Sequence, residues 1–160
     1  MRTGAMIFLA VIILGVFGYT VYESETLKNN GKTVLLELAP IDPRSLLQGD
    51  YMVLGFAVER VKKPDYKKHN GYMVLEENAE GIAQFKRFYE AGEALTPNEY
   101  KIRFVKKWSR FTIRPNSFLF QEGHRKHYDK AKYGIFKFDK DQNYLLVGLA
   151  DETKQSISPK

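Results

Sequence analysis

The sequence predicts a mainly β fold in which an N-terminal transmembrane helix precedes a compact antiparallel β domain with one or two short helices. Three observations support this prediction. No charged residue occurs from Thr3 to Tyr22, about seven or eight later segments alternate apolar and polar residues with the period of a strand, and Gly, Pro and Asn separate those segments. The chain therefore divides into a membrane segment and one folded domain.

The composition fits a single domain of ordinary size. The chain has 160 residues, 44% of them hydrophobic and 28% charged, which is too apolar for a disordered tail and too charged for a protein that crosses the membrane repeatedly. It has no cysteine, so disulfides, a thiol nucleophile and thiolate metal sites are excluded. The net charge is +6. We expect no nucleic-acid partner for an exported domain, and a basic, solvated surface is the simpler interpretation of the charge.

The apolar run over residues 5–22 is long enough to cross a bilayer. About 20 apolar residues, at ~1.5 Å rise each, span the ~30 Å hydrocarbon core. Arg2 precedes the run, Glu23 follows it, and Tyr19 and Tyr22 lie where interfacial aromatic residues are expected. The positive-inside rule then predicts a single-pass inner-membrane protein with a cytoplasmic N-terminus and a periplasmic domain. A cleaved signal peptide is the alternative, because its charged start and apolar centre look the same.

The chain is accordingly divided into five parts by composition. They are a cytoplasmic segment (1–4), the membrane anchor (5–22), a polar tether (23–32), the β-rich domain (33–150) and a polar tail expected to fray (151–160).

Strand candidates follow one another through the domain. They are residues 33–39, 50–59, 72–75, 82–89, 100–108, 118–120, 133–138 and 144–150. In 82–89 strict alternation places Phe85 and Phe88 on opposite faces, and a helix over 80–94 stays open as an alternative. Residues 111–113 are expected to continue the strand 100–108 past a bulge near Ser109. Residues 122–130 are expected to form one or two helical turns, and the last two strands a hairpin.

The segment 39–56 has the character of a signature. Pro43 fixes φ and keeps Asp42 out of helical conformation, so the first strand ends there. Asp42 is also suited to cap a single helical turn that begins at Pro43. Gly49 permits the positive φ of a turn, and Asp50 can accept hydrogen bonds from nearby backbone N–H groups. The segment is therefore predicted to be a strand, a tight corner and a second strand.

These residues resemble the GDYXXLXY protein family of bacteria. The name motif is matched by Gly49-Asp50-Tyr51 and Leu54, with Phe56 in place of its final tyrosine, and Pro40-Ile-Asp-Pro-Arg44 matches the preceding segment. A second signature of the family is similar to Phe118-x-Phe-Gln-Glu-Gly123 and Ala131-Lys-Tyr-Gly134. The resemblance covers roughly the whole chain. It implies a membrane-anchored extracytoplasmic domain with an integral membrane protein as partner, and it implies no settled activity.

The function predicted on this basis is that of a non-enzymatic accessory or interaction subunit of a polytopic membrane protein. Its binding surface is expected at the signature corner, with Arg44, Asp50 and Tyr51 foremost. The full set of predicted site residues is Asp42, Pro43, Arg44, Gly49, Asp50, Tyr51, Leu54, Phe56, Glu122, Gly123, Tyr133 and Gly134. A module that binds envelope polymer or lipid through its basic residues is an alternative.

An enzyme is the weaker interpretation. Signal peptidases are similar in having an N-terminal helix and a Pro-x-Leu and Gly-Asp pattern like that of residues 43–53. Their chemistry needs a serine just before the proline, whereas residues 39–42 contain no hydroxyl group and Ser45 follows the proline. A carboxylate cluster would form if the two signatures met, and a structural ion-pair network is favoured over acid/base catalysis for it; its members would be Asp42, Asp50 and Glu122.

Neither a metal nor a cofactor is expected. Residues 139–143 begin like a calcium loop, but Tyr144 replaces the required Gly and Ala150 stands where the bidentate Glu belongs. A hairpin turn is the better explanation of that segment. His124 and His127 have a spacing that suits one helical face, yet their basic neighbours repel a cation.

Overall fold

The structure is a computed structural model that describes residues 2–39, 51–61, 66–108, 110–121 and 125–158. Its elements confirm the mainly β fold class with one long N-terminal helix. They are α1 (Arg2–Asn30), β1 (Lys32–Glu37), β2 (Tyr51–Val53), a 3-10 helix (Ala57–Arg60), β3 (Asn70–Glu77), β4 (Ile82–Phe88), β5 (Glu99–Lys107), β6 (Arg110–Ile113), β7 (Ser117–Leu119), α2 (Arg125–Tyr128), β8 (Tyr133–Phe138) and β9 (Tyr144–Ala150).

Helix α1 is long and apolar enough to cross a membrane. Its span Met6–Asn30 has 25 residues, and the most apolar 18-residue window within it has a mean hydropathy of 2.0 and no residue buried against the domain. At ~1.5 Å per residue such a helix is about 37 Å long. The helix continues past Tyr22 to Asn30. Residues 23–30, assigned from the sequence to a tether, are therefore helical.

Seven strands form one mixed sheet in the order β6-β5-β3-β4-β1-β8-β9, and β2 and β7 form a separate two-stranded ribbon. The sequence predicted an antiparallel domain, and one pair departs from this. Strands β1 and β4 are parallel, with Leu35 opposite Ile82 and Leu36 opposite Ala83. The parallel pair arises because β4 inserts between β3 and β1, a long-range pairing that no local pattern encodes.

The sheet has two ends that differ in their distance from the helix. Strand β1 leaves α1 and runs away from it over six residues, or about 20 Å at ~3.3 Å per residue. We call the end that carries Lys32 and the β8–β9 turn the near end, since Lys32 lies opposite Phe138. The end that carries Leu38 and Ala39 is the far end.

The core lies on one face of the sheet. Alternation in β1 points Val34 and Leu36 inward, as predicted, and both are fully buried. Aromatic rings fill the space beside β5, where the Phe88 ring lies 5.4 Å from that of Phe104 and 5.2 Å from that of Phe111. Edge-to-face and tilted contacts at such distances stabilise a core beyond the area they bury.

Strand β4 contains a β-bulge that alternation alone does not predict. Lys86 is its extra residue, without a paired residue in β3. Phe85 and Phe88 consequently both pack against the core, so the prediction that they face opposite sides was wrong. The bulge also turns Lys86 and Arg87 to the other face, where both contact Glu99.

Strand β6 returns beside β5 and does not continue it. The two strands are antiparallel, with Lys107 opposite Arg110, so the predicted continuation past a bulge near Ser109 was wrong. Trp108 has a φ of 58°, the left-handed conformation that two-residue hairpin loops require. The strand predicted at 50–59 is also shorter than expected, and β2 covers Tyr51–Val53.

The tail turns back onto β9. Ser156 forms a bridge with Ala150, and the N–H of Ile157 donates to the carbonyl of Leu149 at 2.9 Å. The carboxylate of Asp151 accepts hydrogen bonds from Thr153 and Gln155 within this turn. The tail is thus ordered through Ile157, where the sequence predicted fraying.

Glu99 is the buried charged residue of the described part of the domain, with 2% exposure. Arg87 donates to both of its carboxylate oxygens, at 2.7 and 3.2 Å, and the N–H of Thr96 donates at 3.1 Å. Residues 89–98 join parallel strands on either side of β3, so they must cross β3, and these bonds hold that crossing. The Arg87 guanidinium lowers the pKa of Glu99 to about 2.

We predict that Glu99→Gln lowers the free energy of unfolding by about 1–3 kcal/mol, since a buried charge-assisted pair is lost. The matched control is Glu76→Gln on β3. Its carboxylate is half-exposed and binds Lys86 at 2.6 Å, so we expect a loss of less than ~1 kcal/mol. Urea unfolding of the full chain in detergent, followed by circular dichroism, measures both values. Equal losses in the two variants would contradict the assignment.

The same pair predicts acid sensitivity. The carboxyl of Glu99 has a pKa of about 2 in the folded chain and an ordinary value of about 4.3 when unfolded. Its contribution is therefore complete above pH ~4.5 and is lost as the pH falls from there toward 2. We expect the unfolding free energy of wild type to fall more steeply than that of Glu99→Gln between pH 5 and pH 3. Parallel pH dependences would refute this.

Candidate functional site

The two-stranded ribbon is the described part of the signature corner. Tyr51 lies opposite Leu119, Met52 opposite Phe118 and Val53 opposite Ser117. The ribbon is joined to the far end of the sheet directly after β2. There Leu38 forms a bridge with Phe56, and the N–H of Ala39 donates to the carbonyl of Gly55 at 2.8 Å.

The inner face of the ribbon packs on the short helix α2. Met52 is buried, and its partner Phe118 places its ring 5.3 Å from that of Tyr128. The ring of Phe120 lies 5.6 Å from the same tyrosine. Because Tyr128 is itself buried, α2 supports the ribbon from behind and fixes which face it presents to solvent.

The outer face of the ribbon exposes three apolar side chains. Tyr51, Val53 and Leu119 are 37%, 41% and 75% exposed. Alternation along the two strands places all three on one side, and we call this set the outer ribbon face. Exposed apolar side chains that are contiguous mark interaction sites more often than isolated ones do. In the described domain the other large apolar residues with such exposure are Tyr72, on β3, and Trp108, in the turn between β5 and β6.

Two predicted site residues, Leu54 and Phe56, lie inside the core. Leu54 is 4% exposed, and its N–H donates to the carbonyl of Asn116 at 2.7 Å. Phe56 is fully buried, with its ring 5.6 Å from that of Phe136. Neither side chain reaches solvent to touch a partner. Their contribution to the corner is to attach the ribbon to the sheet.

The two signatures meet at Gly134. A Cβ atom at this position would lie 3.0 Å from the Phe56 ring and 3.3 Å from the Phe136 ring. Glycine therefore provides the space in which the Phe56 ring approaches β8. The neighbouring Tyr133 is 7% exposed and lies opposite Glu37. The β8 part of the second signature therefore packs against Phe56 of the first signature.

A half-buried carboxylate links the corner to β6. The side chain of Glu59, in the 3-10 helix, accepts a hydrogen bond from the N–H of Ile113 at 2.7 Å. Burial raises the pKa of Glu59. The side chain bonds the backbone of β6, so its described role is to attach the segment after the ribbon to the sheet.

Several predicted site residues lie outside the described residues, and what was predicted for them stays a prediction. They are Asp42, Pro43, Arg44, Gly49, Asp50, Glu122 and Gly123, together with Ser45 and His124 of the alternative sites. Of the predicted set, the structure brings together Tyr51, Leu54, Phe56, Tyr133 and Gly134.

Residues 139–143, which begin like a calcium loop in sequence, form a hairpin turn. Asp139 accepts hydrogen bonds from the N–H groups of Asp141 and Asn143 at 2.9 and 2.8 Å, and Gln142 has a φ of 65°. The interpretation as a turn is confirmed. Across the described ranges, no three His, Asp or Glu side chains lie close enough to hold a metal ion.

Sequence analysis missed two residues of the outer ribbon face, Val53 and Leu119. The signal for Val53 was its spacing of two from Tyr51, which puts both on one face of a strand. All three residues of the run 118–120 are apolar, so the sequence alone does not show that Leu119 is exposed while its neighbours pack inward. Only the pairing of β7 with β2 distinguishes the two faces.

Comparison with protein-family models matches residues 13–149 to the family described as GDYXXLXY protein. The match begins within α1, ends at Leu149 in β9 and includes both signatures. No curated protein and no solved structure matches the chain.

We predict that Gly134→Ala destabilises the domain by about 1–3 kcal/mol, because the added methyl group displaces the Phe56 ring from a packed core. Gly148→Ala on the adjacent strand is the matched control. There the nearest side-chain atom to the new Cβ is 3.6 Å away, in Ile135, which is an ordinary contact. Thermal unfolding of both variants measures the difference. A Gly134→Ala variant as stable as Gly148→Ala would contradict the close approach.

Proposed function

The chain belongs to the GDYXXLXY protein family, and we propose on that basis that it is a membrane-anchored domain that binds an integral membrane protein through its outer ribbon face. The observation that carries the proposal is the exposure of Tyr51, Val53 and Leu119 on one side of the ribbon. Burial of such side chains against a partner contributes about 1–2 kcal/mol each. That is sufficient for a specific contact within a shared membrane.

The membrane topology in this proposal follows from the charges beside α1. Arg2 precedes the apolar part of the helix, and Glu23 follows it. The positive-inside rule places the N-terminus in the cytoplasm and the β domain outside it, in the periplasm of a bacterial cell. The domain is then an accessory subunit held at the inner membrane by a single helix.

The far end of the sheet sets the height of the contact. Residues 23–30 of α1 add about 12 Å beyond the bilayer, and β1 adds about 20 Å. The ribbon therefore lies up to ~30 Å above the membrane surface. A partner that meets it needs an extracytoplasmic loop or domain of similar height, which a polytopic membrane protein can supply.

The proposal is tested by photo-crosslinking in intact cells from residue 119, with residue 108 as the control. Both native side chains are exposed, at 75% and 89%. Leu119 ends β7, and Trp108 lies in the turn between β5 and β6. We expect position 119 to crosslink to an integral membrane protein and position 108 to give little product, because only the probe at position 119 lies in the proposed contact.

A matched pair of substitutions completes the test. Leu119→Glu buries an unpaired charge in the contact and is expected to abolish co-purification of the crosslinked protein. Trp108→Glu makes the same change at an exposed site outside the ribbon and should leave co-purification intact. Both variants must retain the circular dichroism spectrum of wild type. The proposal is refuted if Leu119→Glu retains the partner.

A further inference from the structure

A groove of about 580 Å³ separates α1 from the near end of the sheet. Its helix wall is one face of α1, since the lining positions recur at helical spacing. The lining residues of α1 are Tyr19, Tyr22, Glu23, Thr26, Leu27 and Asn30. The sheet wall includes Tyr100, Phe138 and, in the β8–β9 turn, Lys140 and Gln142. The groove has the volume typical of small-molecule sites, about 300–1,000 Å³.

The groove lies beside a one-residue junction between α1 and β1. A single residue, Gly31, lies between α1 and β1, and its N–H donates to the carbonyl of Leu27 at 2.9 Å. A Cβ at Gly31 would lie 2.5 Å from that carbonyl and 3.1 Å from Lys137. Lys137 also donates to the carbonyl of Gly31 at 3.1 Å. The helix and the sheet therefore keep a fixed separation.

The groove begins at the level where α1 leaves the membrane in the proposed topology. Tyr19 and Tyr22 line its lower part and lie at the predicted interface between hydrocarbon and water. From Tyr19 to Lys32 the wall rises about 20 Å at ~1.5 Å per residue. A molecule in the groove is therefore continuous with the extracytoplasmic leaflet, and lipid is the molecule most concentrated there.

The lining combines apolar surface with one unpaired charge of each sign. Tyr22, Leu27 and Phe138 provide apolar surface in the groove. Glu23 and Lys140 line it as well, and among the described residues neither has an ion-pair partner. A ligand that carries a phosphate and an ammonium group would satisfy both charges, whereas a purely anionic group would meet Glu23.

The other charged residues of the lining are already satisfied. Lys32 binds Glu77 at 2.8 Å, and the hydroxyl of Tyr100 donates to the same carboxylate at 2.9 Å. The hydrogen bond with Glu77 raises the pKa of Lys32, so this lysine stays charged without a further partner. Asp139 is engaged by the backbone of its own turn.

We propose that this groove binds a zwitterionic phospholipid of the extracytoplasmic leaflet, whose phosphate and ammonium groups are complementary to the charges of Lys140 and Glu23. The acyl chains stay in the bilayer beside Tyr19 and Tyr22, since the groove accommodates only a headgroup and its glycerol. The inference rests on the membrane anchoring proposed above. In this proposal the near end of the sheet binds lipid, whereas the far end binds the proposed protein partner.

The test uses the full chain in nanodiscs that contain equal amounts of phosphatidylethanolamine and phosphatidylglycerol. Transfer to mild detergent and native mass spectrometry then count the retained lipid. Thr26→Trp fills the groove, and Thr20→Trp is its matched control. Both threonines are exposed on α1 and donate to the carbonyl four residues earlier, at 2.8 and 2.9 Å, but only Thr26 lines the groove.

We expect wild type and Thr20→Trp to retain phosphatidylethanolamine and Thr26→Trp to lose it at least tenfold. Lys140→Gln should lower retention about threefold or more, without effect on folding, because the phosphate loses its charged partner. The proposal is overturned if wild type retains no lipid, if Thr26→Trp retains as much as Thr20→Trp, or if phosphatidylglycerol is preferred.

Carbonate extraction of cell membranes separates this proposal from the anchoring on which it rests. A chain that carbonate releases is not anchored, and both proposals then fail. A chain that stays in the membrane but retains no lipid overturns the groove alone. Co-purification of the membrane partner should be unchanged in Thr26→Trp, because the outer ribbon face lies at the opposite end of the sheet.

Discussion

The ring of Phe56 packs over β8 at Gly134, and the arrangement of the far end depends on this contact. A Cβ atom at residue 134 would lie 3.0 Å from the ring, so the observed approach leaves less than an ordinary contact distance for any residue other than glycine. With Phe56 in place, Leu38 and Ala39 bond the segment that follows β2. The ribbon is then attached to the sheet, and its outer face can only point to solvent.

The single-residue junction at Gly31 places one end of the sheet close to α1. Because α1 passes directly into β1, every strand has an end close to the helix and an end far from it. Apolar exposure is concentrated on the ribbon at the far end, and the groove lies at the near end. In the proposed topology these ends face different surroundings, lipid at the near end and the proposed protein partner at the far end, so one small domain has room for two separate binding roles.

Local sequence pattern predicted most strands of this fold and failed where pairing adds or removes a residue. The hairpin of β8 and β9 was predicted with its observed bounds, because turn residues and β-branched or aromatic runs coincide there. In β4 the extra residue Lys86 reverses the alternation, so the faces of Phe85 and Phe88 were wrong. Bulges depend on the neighbouring strand, and a single strand's sequence does not contain that information.

The sequence by itself determined the long apolar N-terminal helix, the β class of the domain and the segments that form the corner, because hydrophobic length, period and the special backbone preferences of Gly and Pro are local properties. The tertiary structure alone decided which corner residues are buried and which are exposed. Alternation places Leu54 and Phe56 on the opposite side from Val53, but these residues and Leu119 are all apolar, so the local pattern does not show which side is buried. Their fates separate only when β7, β8 and α2 cover one face of the ribbon and leave the other open.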